Sequence, residues 1–234
     1  MKRRQQNKRG CYLCGAPATT RDHIPPLGMF PHPRPHNLVT VPACDECNRS
    51  NSLHDEYFRV VVATGSRDSP QSLALLHQRI LLRMRKSPAL IAGLMKSVRW
   101  IDLRSEGGIY LGRAPAFPFD RPRVQAVINK IVRGLYFKHT KHRLAPDYIV
   151  ERFLYNPMVE ESFQEVIARL PLHNLGDGTV FSYRYYVPDA AEFESFWFLM
   201  FYNDTSFFIT HTSSASNLQV NPDAAVDSCA EPVT

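Results

Sequence analysis

Cys11-Tyr12-Leu13-Cys14, Arg21-Asp22-His23-Ile24-Pro25-Pro26, His36-Asn37-Leu38-Val39-Thr40 and Cys44-Asp45-Glu46-Cys47-Asn48-Arg49 follow one another within a single short stretch. Two Cys-x-x-Cys pairs supply four thiols, a complete tetrahedral zinc set: Cys11, Cys14, Cys44 and Cys47. Gly15 and Pro17 suit a tight knuckle after the first pair, and Leu38-Val39-Thr40-Val41 is a short β-type run leading to the second. A helix is expected from about Cys47 through Val60. Knuckle, hairpin and helix pinned by zinc make a treble-clef-like arrangement. So short a segment has little core of its own, and structural zinc supplies about 10–16 kcal/mol to such sites. Between and just after the thiol pairs stand Asp22-His23, Asn37 and Asn48, residue types that can hold a hard metal ion and deprotonate a water.

The surrounding chain sets the context. It has 234 residues, 44% of them hydrophobic, enough for a sizeable core, and a formal charge of +6 that favours a polyanionic partner such as nucleic acid. Four of the five cysteines fall in the close pairs, which points to metal ligation rather than a disulfide framework. Cys229 reads as an incidental thiol in a polar tail. The N-terminal charges are followed by no apolar core, so no signal peptide is expected, and no apolar run has bilayer-spanning length. A soluble protein of the reducing cytoplasm is the expectation, with no membrane partner.

Four segments are expected: a flexible basic arm at 1–10, the metal-rich module at 11–63, a larger accessory domain at 64–212 and a disordered tail at 213–234. The fold class is α+β, the C-terminal domain being helical with an antiparallel sheet. Ser69-Pro70 and Ser87-Pro88 each read as an N-cap followed by proline at the first helical position, the second opening a helix over Ala89 to Trp100. Asp120-Arg121-Pro122 opens another, with Val124, Val127, Ile128, Ile131 and Leu135 as its apolar stripe. Helices are also expected over Tyr148 to Tyr155 and Val159 to Leu170. Strands are expected at Ile109 to Leu111, Thr179 to Val187, Phe196 to Tyr202 and Ser206 to Thr210. Lys138, Lys141 and Arg143, in the run Lys138-His139-Thr140-Lys141-His142-Arg143, are candidate phosphate contacts.

The residue roles follow from the chemistry of phosphodiester hydrolysis. His23, with an ordinary pKa near 6.5, can take a proton from the attacking water. Asp22 offers an anionic oxygen and Asn48 an amide oxygen to Mg²⁺ or Mn²⁺. Adjacent strand residues point to opposite faces, so Asp22 and His23 need a bend to converge, and Pro25-Pro26 is consistent with one. Arg49 can touch either a phosphate or a nearby carboxylate. His54 reads as a surface or structural histidine, and Asp55 as too far along the helix from Asn48 to share an ion with it.

In pattern and order, residues 11–58 resemble the HNH endonuclease family of ββα-metal fold, in its four-cysteine zinc variant: Cys-x-x-Cys, Asp-His-Ile-Pro, Asn-Leu-x-Thr, then Cys-x-x-Cys-Asn-Arg. The resemblance implies structural zinc, one catalytic divalent ion, and DNA cleavage leaving a 5′-phosphate and a 3′-hydroxyl. It gives Asn37 the role of bridging its loop to the backbone and orienting the base. It suggests phage defence, restriction or a mobile element as context, with a homodimer or a defence-system protein as partner. DNA is favoured over RNA as substrate. The competing reading is a zinc-containing nucleic-acid-binding or scaffold protein that does not cut.

Overall fold

The computed structural model describes residues 10–50, 52–66, 69–76, 98–105, 107–116, 120–146, 148–154, 161–188, 194–203 and 206–214. The basic arm before Gly10, the expected helix over 89–97, Cys229 and the tail beyond Ser214 lie outside them.

The first hairpin alternates in burial, one strand turning apolar residues inward and the other turning in Asp22 and Ile24. β1 (Thr20–Ile24) pairs antiparallel with β2 (Val39–Ala43), Asp22 opposite Val41 and Ile24 opposite Val39. Ile24, Val39, Val41 and Ala43 are buried. A short helical turn at Leu27–Met29 follows β1. After β2 come the helical spans α1 (Asp45–Ser50) and α2 (Ser52–Gly65). α3 (Pro70–Leu75) begins as the sequence indicates: the Ser69 side chain accepts from the Ser72 N–H and Pro70 holds the first turn.

β3 (Arg99–Arg104) and β4 (Tyr110–Ala116) form a second antiparallel hairpin. Arg99 and Trp100 are thus strand, not the end of a helix. α4 (Arg121–Thr140) is capped by Asp120, which accepts from the Arg123 N–H, and it buries the whole stripe from Val124 to Leu135. The expected helix at Tyr148 to Tyr155 is instead β5 (Tyr148–Leu154), paired along its length with β9 (Ser206–Ser214). β9 supplies the ladder bonds that decide between two readings of a short apolar run. α5 (Glu161–Arg169), β6 (His173–Leu175), β7 (Phe181–Tyr186) and β8 (Ser195–Phe201) complete the described chain, and the sheet runs β5-β9-β8-β7-β6, antiparallel throughout.

β8 is apolar on both faces and buries side chains on each. Trp197, Leu199 and Phe201 join the main core, while Phe198 and Met200 pack with Ile167 of α5 and Ile209. The main core is one cluster that includes Tyr12, Ile24 and Phe58 together with Val127, Ile131, Phe181 and Phe201. It therefore draws on residues from both sides of the expected boundary at 63/64. Phe58 of α2 meets Phe201 edge-on at 5.5 Å, and the Tyr202 hydroxyl donates to the Met29 carbonyl at 2.9 Å. Among the described residues no helix is long and apolar enough to cross a membrane.

Candidate metal centre and adjoining cleft

The first cysteine pair sits on a turn that the backbone closes on itself. The Gly15 N–H donates to the Cys11 carbonyl at 2.9 Å and the Cys11 N–H to Ala16 at 2.7 Å. Gly15 has φ +83°, a conformation that penalises any side chain. Tyr12, inside the knuckle, donates its N–H to Pro42 of β2 at 2.9 Å, and the guanidinium of Arg143 donates to the Leu13 carbonyl at 3.3 Å. The second pair lies where β2 runs into α1, and the Cys47 N–H points at the Cys44 sulfur, 3.4 Å away. All four Sγ atoms come within 4.8 Å of one another, Cys14 and Cys44 at 3.7 Å. Tetrahedral zinc–thiolate bonds of about 2.3 Å put sulfurs roughly 3.8 Å apart, so this set could hold a metal such as zinc. Burial pushes the Cys11 thiol up, but backbone N–H groups of Cys14, Cys44 and Leu13 bring it down to about 7. Burial and the neighbouring thiols push Cys47 up.

A cleft of about 360 Å³ opens beside this cluster, lined by Asp22, His23, Asn48 and Asp55 together with Arg21, Glu56 and Arg59. Asp22, His23 and Asn48 all line this cleft, although Asp22 and His23 are consecutive residues of β1 with no bend between them. The Asn48 side-chain amide donates to Thr20 Oγ1 at 3.1 Å and the Arg21 carbonyl at 3.4 Å, tying α1 to β1 and leaving its own oxygen for the cleft. His23 is half-buried. Burial lowers its pKa below the ordinary value; Asp22 opposes this, and Arg34, Arg21 and Lys130 reinforce it. The neutral imidazole, the form that accepts a proton, is the favoured one.

Behind the cleft is a buried charge cluster. Lys130 of α4, only 2% exposed, places Nζ 3.2 Å from Asp22 Oδ2 and 2.9 Å from Asp55 Oδ2. The Tyr12 hydroxyl donates to the same Asp22 oxygen at 2.8 Å. Burial, then the charge of Asp22, raises the Tyr12 pKa and keeps that hydroxyl protonated. Asp55 is raised by burial, with Lys130 opposing. Its Oδ1 is buried and has no hydrogen-bond partner among the described residues.

Asp55 lines the same cleft as Asn48. Lys130 and Tyr12 were not singled out from the sequence. The available signal for Lys130 was a lysine three residues after Val127 and four before Gly134, at the border of the apolar stripe.

The other expected residues sit elsewhere. Asn37 does bridge its loop to backbone, but to the turn after β6: its amide donates to the Asn174 carbonyl at 3.2 Å and its oxygen accepts from the Gly176 N–H at 2.6 Å. Arg49 is exposed and pairs with Asp45 at 3.0 Å, the carboxylate alternative. Lys141 takes the left-handed position that ends α4 and donates to the Lys138 carbonyl, Lys138 is exposed, and Arg143 braces the knuckle. His54 is half-buried with Nδ1 unpartnered among the described residues. Comparison of the chain with models of known families, with curated proteins and with solved structures gives no match.

Proposed function

We propose that this protein is a divalent-metal-dependent endonuclease of the HNH type that hydrolyses DNA phosphodiester bonds, with the four cysteines holding structural zinc. The observation that carries this reading is the convergence of Asp22, His23 and Asn48 on one cleft beside the thiol cluster. His23, neutral at working pH, accepts a proton from water as the water oxygen attacks phosphorus. The bond to the 3′ oxygen then breaks, leaving a 5′-phosphate and a 3′-hydroxyl. The donor types suit a hard cation: the Asp22 carboxylate and the Asn48 amide line the same cleft. Mg²⁺ or Mn²⁺ held by Asp22 and Asn48 would neutralise charge on the phosphate and the departing oxygen. Arg21 adds positive charge to the cleft wall. Phage defence, restriction or mobility, and a second copy or a protein partner, fit this activity as context.

One observation favours a zinc-containing nucleic-acid-binding protein that does not cut: the buried partner Lys130 already balances Asp22. Plasmid nicking with Mg²⁺ or Mn²⁺ separates the two. His23→Ala is expected to lower the nicking rate about 10²- to 10⁴-fold with zinc content and DNA affinity retained. Because its pKa is depressed, the wild-type rate is expected to rise with pH through an inflection below 6.5 and to be level near neutrality. A wild-type protein that cleaves no form of DNA with either ion overturns the nuclease reading, and parallel digestion of RNA tests the substrate class.

A further inference from the structure

Two donors from distant parts of the chain meet on one oxygen of Asp22. Tyr12 comes from the knuckle between Cys11 and Cys14, and it is fully buried. Its hydroxyl lies 2.8 Å from Oδ2. Lys130 comes from α4, with Nζ 3.2 Å from the same atom. Neither lines the cleft, whereas Asp22 does. The arrangement is placed by packing. Asp22 and Ile24 share the inner face of β1, and Lys130 and Gly134 share one face of α4, four residues apart. Gly134 lies so close to Ile24 that an added Cβ would fall 2.5 Å from its Cγ1. That close crossing is what lets the Lys130 stem reach Asp22.

A carboxylate gripped at one oxygen by two donors cannot rotate freely. Its other oxygen, which no described residue donates to, stays turned from that grip. We propose that Tyr12 and Lys130 are positioning residues that lock Oδ2 of Asp22 against the protein, so that Oδ1 is presented to a divalent cation in the cleft. The thiol cluster then serves the cleft as well as the fold, because the turn that carries two of its ligands also carries the hydroxyl that orients Asp22. This inference rests on the nuclease reading above.

The test uses the full-length zinc-loaded protein. Mn²⁺ binding is titrated by electron paramagnetic resonance for wild type, Asp22→Asn, Tyr12→Phe and Lys130→Met, with zinc content and urea unfolding measured on each. Tyr12→Phe removes one hydroxyl and no charge. It is expected to weaken Asp22-dependent Mn²⁺ binding about three- to tenfold, the worth of one hydrogen bond, with zinc unchanged. Lys130→Met removes a repelling charge together with a positioning donor, so an affinity no higher than wild type is expected, and a rise overturns the positioning role of Lys130. If Lys130→Met does not fold, Tyr12→Phe alone decides. A purely structural Tyr12 would lower the urea midpoint and leave the Mn²⁺ affinity at the wild-type value, and that result overturns the inference while the nuclease reading stands. Wild-type protein that binds Mn²⁺ no better than Asp22→Asn overturns both.

Discussion

The thiol cluster and the cleft share one hairpin and are assembled in different ways. Every ligand of the cluster comes from the segment between Cys11 and Cys47, and local backbone bonds shape the knuckle that carries the first pair. The cleft takes Asp22 and His23 from that same segment and Asn48 from the position just after it, but the charge of Asp22 and Asp55 is met by Lys130 of α4, far along the sequence. Soft ligands bind one ion strongly enough to organise a short turn by themselves. Hard oxygen ligands bind weakly and must be held by the surrounding protein. A local site therefore tolerates changes in the distant core that a tertiary site does not.

The largest expected effect breaks the local side of that contrast. Cys44→Ser removes one of four thiolates, and structural zinc is worth about 10–16 kcal/mol against a typical whole-domain stability of about 5–15 kcal/mol. The variant is expected to lose most of its zinc and its cooperative unfolding transition, read by metal analysis and circular dichroism. Retention of both would mean that the core holds the hairpin without the metal.

A smaller effect probes the tertiary side. Gly134→Ala drives a methyl into Ile24 and is expected to cost about 1–3 kcal/mol in urea unfolding. It should also weaken Mn²⁺ binding while zinc content stays the same, since the crossing places Lys130 but no thiol. Ile24→Ala removes both Cγ1 and Cδ1, which the new methyl would meet at 2.5 and 2.6 Å. The double variant is therefore expected to be more stable than the sum of the two single changes predicts.

The smallest expected effect lies away from both sites. His139 at the end of α4 hydrogen-bonds the Tyr183 hydroxyl at 2.9 Å and packs against Tyr185 and His173. Burial first, then His173, Lys138 and Lys141, lower its pKa to about 4. The unfolded chain, near 6.5, binds this proton more readily than the folded one. The stability His139 contributes is thus full above pH 6.5 and is lost as pH falls towards 4. His139→Gln is expected to flatten this part of the urea midpoint between pH 7 and pH 5 and to leave metal binding unaffected.

How far the sequence could be read follows the same division. The α4 stripe, its Asp120 cap, the Ser69-Pro70 helix start and the strands β7 and β8 were legible because period, cap chemistry and aromatic content act over a few neighbouring residues. Tyr148–Leu154, expected as helix, is a strand, because a short apolar run fits both periods until a partner strand is known. Asp55 joins the cleft lining and meets Lys130, a partner that only the packing of α4 supplies. Asn37 was given a task near His23, and its side chain instead clasps the turn at Asn174 and Gly176, a contact no local pattern announces.

By itself the sequence determined the thiol set, the Asp22-His23 pair and the α+β class, because ligand type, spacing and periodicity are properties of neighbouring residues. Only the tertiary structure decided that Lys130 and Tyr12 grip one oxygen of Asp22, and that residues on both sides of position 63 share a core. The physical reason is that a buried charge must find its counter-charge in space. A packed core likewise selects its members by shape, wherever along the chain they happen to lie.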